Sequence, residues 1–135
     1  MKISFQFTAL FFLVLLSNLS YSQLSNKVVK AKINLEEIEG NIKIIGTAEN
    51  LSDIVQSLSY KLTVIKNNES SENLSNNVQE GFFTLNPNEN KNLSITQVNL
   101  RTGDEVIVLL LFYDENKQLI GKDRVVLGDE KKKRK

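Results

Sequence analysis

The stretch LSYKLTVIK, residues 58–66, sets Leu58, Tyr60, Leu62 and Val64 on one side of an extended chain and Ser59, Lys61, Thr63 and Ile65 on the other. Successive side chains of a strand point to opposite faces, so this alternation marks a strand with one face in a core and one toward water. Its Tyr, Thr, Val and Ile are residues that pack well on a pleated surface.

The same period of two recurs on both sides of it. KVVKAKINL (27–35) aligns Val29, Ala31, Ile33 and Leu35, and GNIKIIGTAE (40–49), after a Glu-rich turn ending at Gly40, aligns Ile42 and Ile44. QEGFFTL (79–85) groups Gly81, Phe83 and Leu85. NLSITQVNL (92–100) begins with Leu93 and Ile95 in phase and then shifts to Val98 and Leu100, which predicts a bulge or a strand that changes sheets. DEVIVLLLFYD (104–114) is apolar on both faces and predicts a central strand covered on both sides. A buried helix competes there, but β-branched and aromatic content and flanking turns disfavour it. DENK (114–117) is a hairpin turn, and QLIGKDRVVL (118–127) is the last strand, with Gly121 as a bulge or point of close packing. Residues 48–57 read as a loop or a short helical turn capped by Ser52. Residues 67–77, rich in Asn, Ser and Glu, read as a long mobile connection. Seven strands without helical periodicity predict an all-β fold, a seven-stranded immunoglobulin-like β-sandwich. The Cys pair and Trp of antibody domains are absent.

The ends read differently from the body. Met1-Lys2, an apolar run from Phe7 to Leu16 and small residues at Ser20 and Ser22 predict a signal peptide over residues 1–22, cleaved before Gln23. The run is too short to span a bilayer, so no stable membrane insertion is expected. Residues 23–130 then form one domain, and the basic tail 131–135, KKKRK, is expected to be disordered. The chain has no Cys, so packing and not disulfides must hold an exported domain together. Setting aside Lys2 and the five basic tail residues leaves 11 basic against 16 acidic groups, a net of −5. Basic residues are not spread over a face among aromatics, so no nucleic acid is expected as a partner.

Little chemistry is available. Without His or Cys there is no imidazole base, no thiolate and no Cys-based zinc site, so no enzyme activity, cofactor or metal is expected. The acidic groups at Glu36, Glu37, Glu39, Asp104 and Glu105 lack the spacing of a calcium loop and read as solvated turn residues. No glycine-rich phosphate loop occurs. The Asn-x-Ser sequons at Asn50, Asn68, Asn73 and Asn92 read as chance matches in loops.

The order of features resembles that of the curli-subunit chaperones, the small periplasmic immunoglobulin-like domains of the CsgH and CsgC type. The residues that carry the resemblance are AKINLEE, NIKIIGTAEN, LSYKLTVIKNNES with Tyr60-x-Leu62-x-Val64, NNVQEGFFTLNPNENKNLS, NLRTGDEVIVLLLFYD and NKQLIGKDRVVL. They cover about residues 28–127, and Gln79-x-Gly81-x-Phe83 is the most specific group. The resemblance implies a periplasmic protein that keeps secreted curli-type amyloid subunits from polymerising early, and a monomer is expected. The Cys-x-Cys pair of the CsgC members is missing, so a redox role does not carry over.

On that reading the candidate client contacts are the outward set Lys61, Thr63 and Ile65, with Gln79 nearby if its strand pairs there. Tyr60, Gly81 and Phe83 form a structural motif, with Gly81 at a close backbone approach and Phe83 in the core. Gln79 stays open between packing and client contact. A cell-surface adhesion or carbohydrate-binding sandwich is the alternative, and a structural accessory of an envelope assembly a third reading.

Overall fold

A computed structural model of the chain describes residues 25–68 and 74–128, and the backbone of 132–134. The expected signal segment lies outside the described residues. Seven long strands, β1 (Val29–Ile38), β2 (Asn41–Asn50), β3 (Gln56–Asn68), β4 (Leu74–Leu85), β5 (Asn90–Asn99), β6 (Asp104–Tyr113) and β7 (Leu119–Leu127), are followed by a short β8 (Lys132–Arg134). All pairings are antiparallel. One sheet has the order β1-β2-β5 and the other β4-β3-β6-β7-β8. No helix occurs among the described residues. This is the expected all-β sandwich. Its fourth strand lies in the sheet of the third, sixth and seventh, whereas in constant-type immunoglobulin domains it joins the first, second and fifth.

Period two explains the core. Val29, Ala31, Ile33, Ile42, Ile44 and Ala48 of the small sheet meet Leu58, Leu62, Val64, Phe83 and Leu85 from β3 and β4, with Val106, Val108, Leu110 and Phe112 from β6. Each is a residue that the alternation places inward. Phe112 packs its ring 5.1 Å from that of Phe83, which lies 6.1 Å from Tyr60, both pairs tilted.

Two bulges adjust the strands. The β2–β5 register slips where Gly46 and Thr47 face Ser94 and Asn92, leaving Leu93 as the extra residue. The predicted phase change therefore exists but falls earlier than the apolar pattern indicates. Leu93 and Ser94 both turn inward and Ile95 is exposed. The second slip leaves Ile120 unpaired, next to Gly121, where a Cβ would come within 2.8 Å of Phe112 Cδ2.

Two sequence expectations change. Most of residues 67–77, read as a connection, continues the hairpin: Asn67 pairs with Leu74 and Lys66 with Ser75. Ladder bonds come from the backbone, so polar side chains extend a strand wherever no core has to be covered. Residues 51–55 form the loop, one of the two alternatives read from the sequence, without a helical turn. Its organiser is Asn50, 1% exposed, whose Nδ2 donates to the carbonyls of Ile54, Leu85 and Asn86 while its Oδ1 accepts from Ser52 N and Oγ. Within the tail, where composition predicts disorder, the backbone of Lys132–Arg134 pairs with Val125–Leu127.

Candidate functional site

The large sheet presents its outer face through the residues that alternate with the core. Across it, Ser59, Lys61, Thr63 and Ile65 of β3 stand opposite Tyr113, Leu111, Leu109 and Ile107 of β6 on one side. On the other side they face Phe82, Glu80, Val78 and Asn76 of β4. Beyond β6, Val126, Arg124 and Lys122 of β7 pair with Ile107, Leu109 and Leu111. Lys61, Thr63, Ile65, Ile107, Leu109 and Leu111 are all half-buried.

This overturns one expectation. β6 is central within its sheet, but only its inner face is covered by the second layer. Its outer row is screened by neighbouring side chains alone, because among the described residues no element packs on that face. The doubly apolar strand therefore supplies a core on one side and an apolar surface on the other. Lys61, Lys122 and Arg124 lie among these residues, with Glu80 opposite Lys61. At the β4 end an open groove of about 940 Å³ is lined by Tyr60, Lys61, Phe82, Phe83, Tyr113 and Lys117, with Phe82 92% exposed.

Of the candidate contacts, Lys61, Thr63 and Ile65 share this face and Gln79 does not. Gln79 sits opposite Leu62, one of the core residues, and so on the inner side of β4. Its side-chain oxygen accepts from the Ser94 hydroxyl of β5, a tie between the two sheets. The spacing Gln79, Gly81, Phe83 already carried that parity; the partner, a small polar residue after a bulge, left no hydropathic trace. Gly81 lies opposite Tyr60, and Phe83 opposite Leu58 in the core.

A buried polar cluster lies at the other end of the large sheet. Asp104, 4% exposed, accepts from Asn68 Nδ2 at 2.6 Å and Arg101 N at 2.7 Å, and lies 3.2 Å from Lys66 Nζ. The bond from Asn68, then that from Arg101, and the Lys66 ammonium hold its carboxyl below the ordinary value against burial, which pushes it up. This cluster fastens the β5–β6 turn to the end of β3. Among the described residues no group of three or more His, Cys, Asp or Glu is placed to hold a metal, and no helix is long and apolar enough to cross a membrane.

This geometry defines a two-layer antiparallel β-sandwich with a broad sheet face that no other described element covers. Its likeness to solved structures is of the same kind. The curli protein CsgC of E. coli (a SeCys structure) aligns with a TM-score of 0.59 at 14% identity, over 71% of this chain and 96% of that one. CsgH of R. palustris aligns at 0.53 and 17%, over 70% and 89%. A Bacteroides uniformis beta-glucuronidase aligns at 0.55 and 11%, but only over 14% of its own chain, as one domain of a larger protein. At these identities the likeness is one of fold. No protein-family model and no curated protein matches the chain.

Proposed function

We propose that the protein is a periplasmic chaperone that binds curli-type amyloid subunits and delays their fibrillation, with the outer face of the large sheet as its working surface. The observation that carries this reading is that face: Ile65, Ile107, Leu109 and Leu111, with no layer over them among the described residues, beside Lys61, Lys122 and Arg124. An extended polar chain laid across it exchanges water for apolar contact, while the cationic groups hold its acidic and amide groups. Such contacts are weak, and they act where a few occupied early aggregates decide the length of the lag before cross-β growth. The fold shared with CsgC and CsgH supports the same direction, as do the amino-terminal signal pattern and the absence of His and Cys.

The test is the thioflavin-detected lag of a curli-type subunit with purified protein well below equimolar. The lag is expected to lengthen, and an unchanged lag sinks the proposal. A Lys61→Glu/Thr63→Glu variant is expected to lose most of the delay while keeping its thermal midpoint to within a few degrees, because surface changes cost little stability. The wild-type effect is expected to shrink as salt rises.

A further inference from the structure

The sheet edges of this domain differ in how they are closed. Along β1, Asn26 Oδ1 accepts from Ala31 N and Asp123 Oδ2 accepts from Ile33 N. β7 pairs with β8 over Val125–Leu127 and is tied to Asn26 at Ile120 and Lys122. β5 carries the Leu93 bulge and a Lys at position 91. These are devices that keep an edge from pairing with another chain. β4 has them only at its carboxy-terminal end, where Lys91 Nζ and Asn50 Nδ2 donate to the carbonyls of Thr84 and Leu85. Its twelve residues pair with β3 in unbroken register from Leu74↔Asn67 to Leu85↔Gln56, without Pro, Lys or Arg, and its one charge is Glu80.

The outer face of that edge is also self-complementary. It reads Leu74, Asn76, Val78, Glu80, Phe82, apolar and polar in turn about Val78. The three apolar residues are among the exposed hydrophobics, at 70%, 45% and 92%. A two-fold axis needs the same patch to fit itself. Antiparallel pairing of two β4 edges centred on Val78 sets Val78 against the second copy's Val78, Phe82 against its Leu74, and Glu80 against its Asn76. Apolar thus meets apolar on one face, and no charge meets its like. Other registers fail on these terms. Centred on Glu80, the two carboxylates face each other; centred on Asn77 or Gln79, apolar residues oppose polar ones; centred on Asn76, Phe82 has no partner in the ladder.

We infer that β4 is a homodimer interface, two copies joining edge to edge through Val78 into one continuous sheet. This departs from the monomer expected from the sequence. It does not rest on the chaperone reading, since its test contains no subunit. Both outer faces stay open in the dimer, because an edge contact extends the sheet without covering it.

Sedimentation of the purified protein over a concentration series is expected to show a monomer–dimer equilibrium. Val78→Lys and Val78→Glu are each expected to weaken it about tenfold or more, a change of about 1.4 kcal/mol or above. A one-to-one mixture of the two is expected to restore a dimer, because the axis sets Lys against Glu. Glu80→Lys, which faces Asn76, is expected to dimerise like wild type, and circular dichroism checks that every variant is folded. A wild type that stays monomeric at about 1 mM, the range of the weakest specific contacts, overturns the inference. So does a dimer indifferent to Val78→Lys, or a mixture that stays monomeric.

Discussion

The ring of Tyr60 occupies the space that a side chain on Gly81 would need: a Cβ there would lie 2.9 Å from Tyr60 Cε1 and 3.2 Å from its hydroxyl. The two residues are directly opposed across β3 and β4, so the glycine of QEGFF is the seat of the tyrosine of LSYKL. Gly81→Ala is expected to cost about 1–3 kcal/mol in urea unfolding by forcing that ring aside. Adding Tyr60→Leu is expected to cost less than the sum of the two single changes, the signature of a shared contact.

Gln79 is a tie between sheets, and its substitution separates stability from activity. Gln79→Leu strands the nearly buried Ser94 hydroxyl and is expected to lower stability by about 1–3 kcal/mol. The delay of fibrillation per folded molecule is expected to stay at the wild-type level. Full stability with a lost delay would return Gln79 to the client side.

Asp104 gives the domain a pH signature. Its folded-state carboxyl ionises below the ordinary value, so its contribution is complete above the unfolded value of about 4 and is lost as pH falls toward the folded one. Asp104→Asn is expected to be less stable at neutral pH by about 1–3 kcal/mol. The gap to wild type is expected to close progressively below about pH 4, read from urea midpoints across the acid range.

The hairpin between β1 and β2 turns on Glu39 and Gly40, at φ of 49° and 86°, between the paired Ile38 and Asn41. Both turn positions are left-handed, which Gly accepts and Glu does not, and Asn is the side chain that suits the first. Glu39→Asn is expected to stabilise the domain by on the order of 1 kcal/mol, seen as a rise in thermal midpoint.

The strands were legible because a sandwich core prints itself as period two. Leu58 to Val64 and Val29 to Leu35 needed no further information. Failures fall where polar or small residues do structural work. Ser94 faces inward and Ile95 outward because a bulge at Leu93 reverses the parity, and hydropathy ranks those two residues the other way. Asn50 matched a sequon, yet it is the buried centre of a loop, a role fixed by carbonyls 35 and 36 residues away. The outward parity of Lys61, Thr63 and Ile65 could be read directly. That the same sheet leaves Leu109 and Leu111 without a second layer among the described residues could not, since a covered and an uncovered apolar row have the same spelling.

Asn26 has a dynamic consequence. Its backbone donates to the Ile120 carbonyl, its Nδ2 to the Lys122 carbonyl, and its Oδ1 accepts from Lys122 N and Ala31 N, while Asp123 takes Ile33 N. The seam between β1 and β7 is thus stitched by main-chain groups of both sheets. Among the described residues, the seam between β4 and β5 is crossed by Gln79 with Ser94 and by Lys91 Nζ to the Thr84 carbonyl, both through side-chain ends. The domain is bound like a book, with its spine at β1–β7 and its pages parting at β4–β5. Thermal opening is expected to begin at the fore-edge, and in the monomer amide exchange along β4 is expected to outpace that along β1.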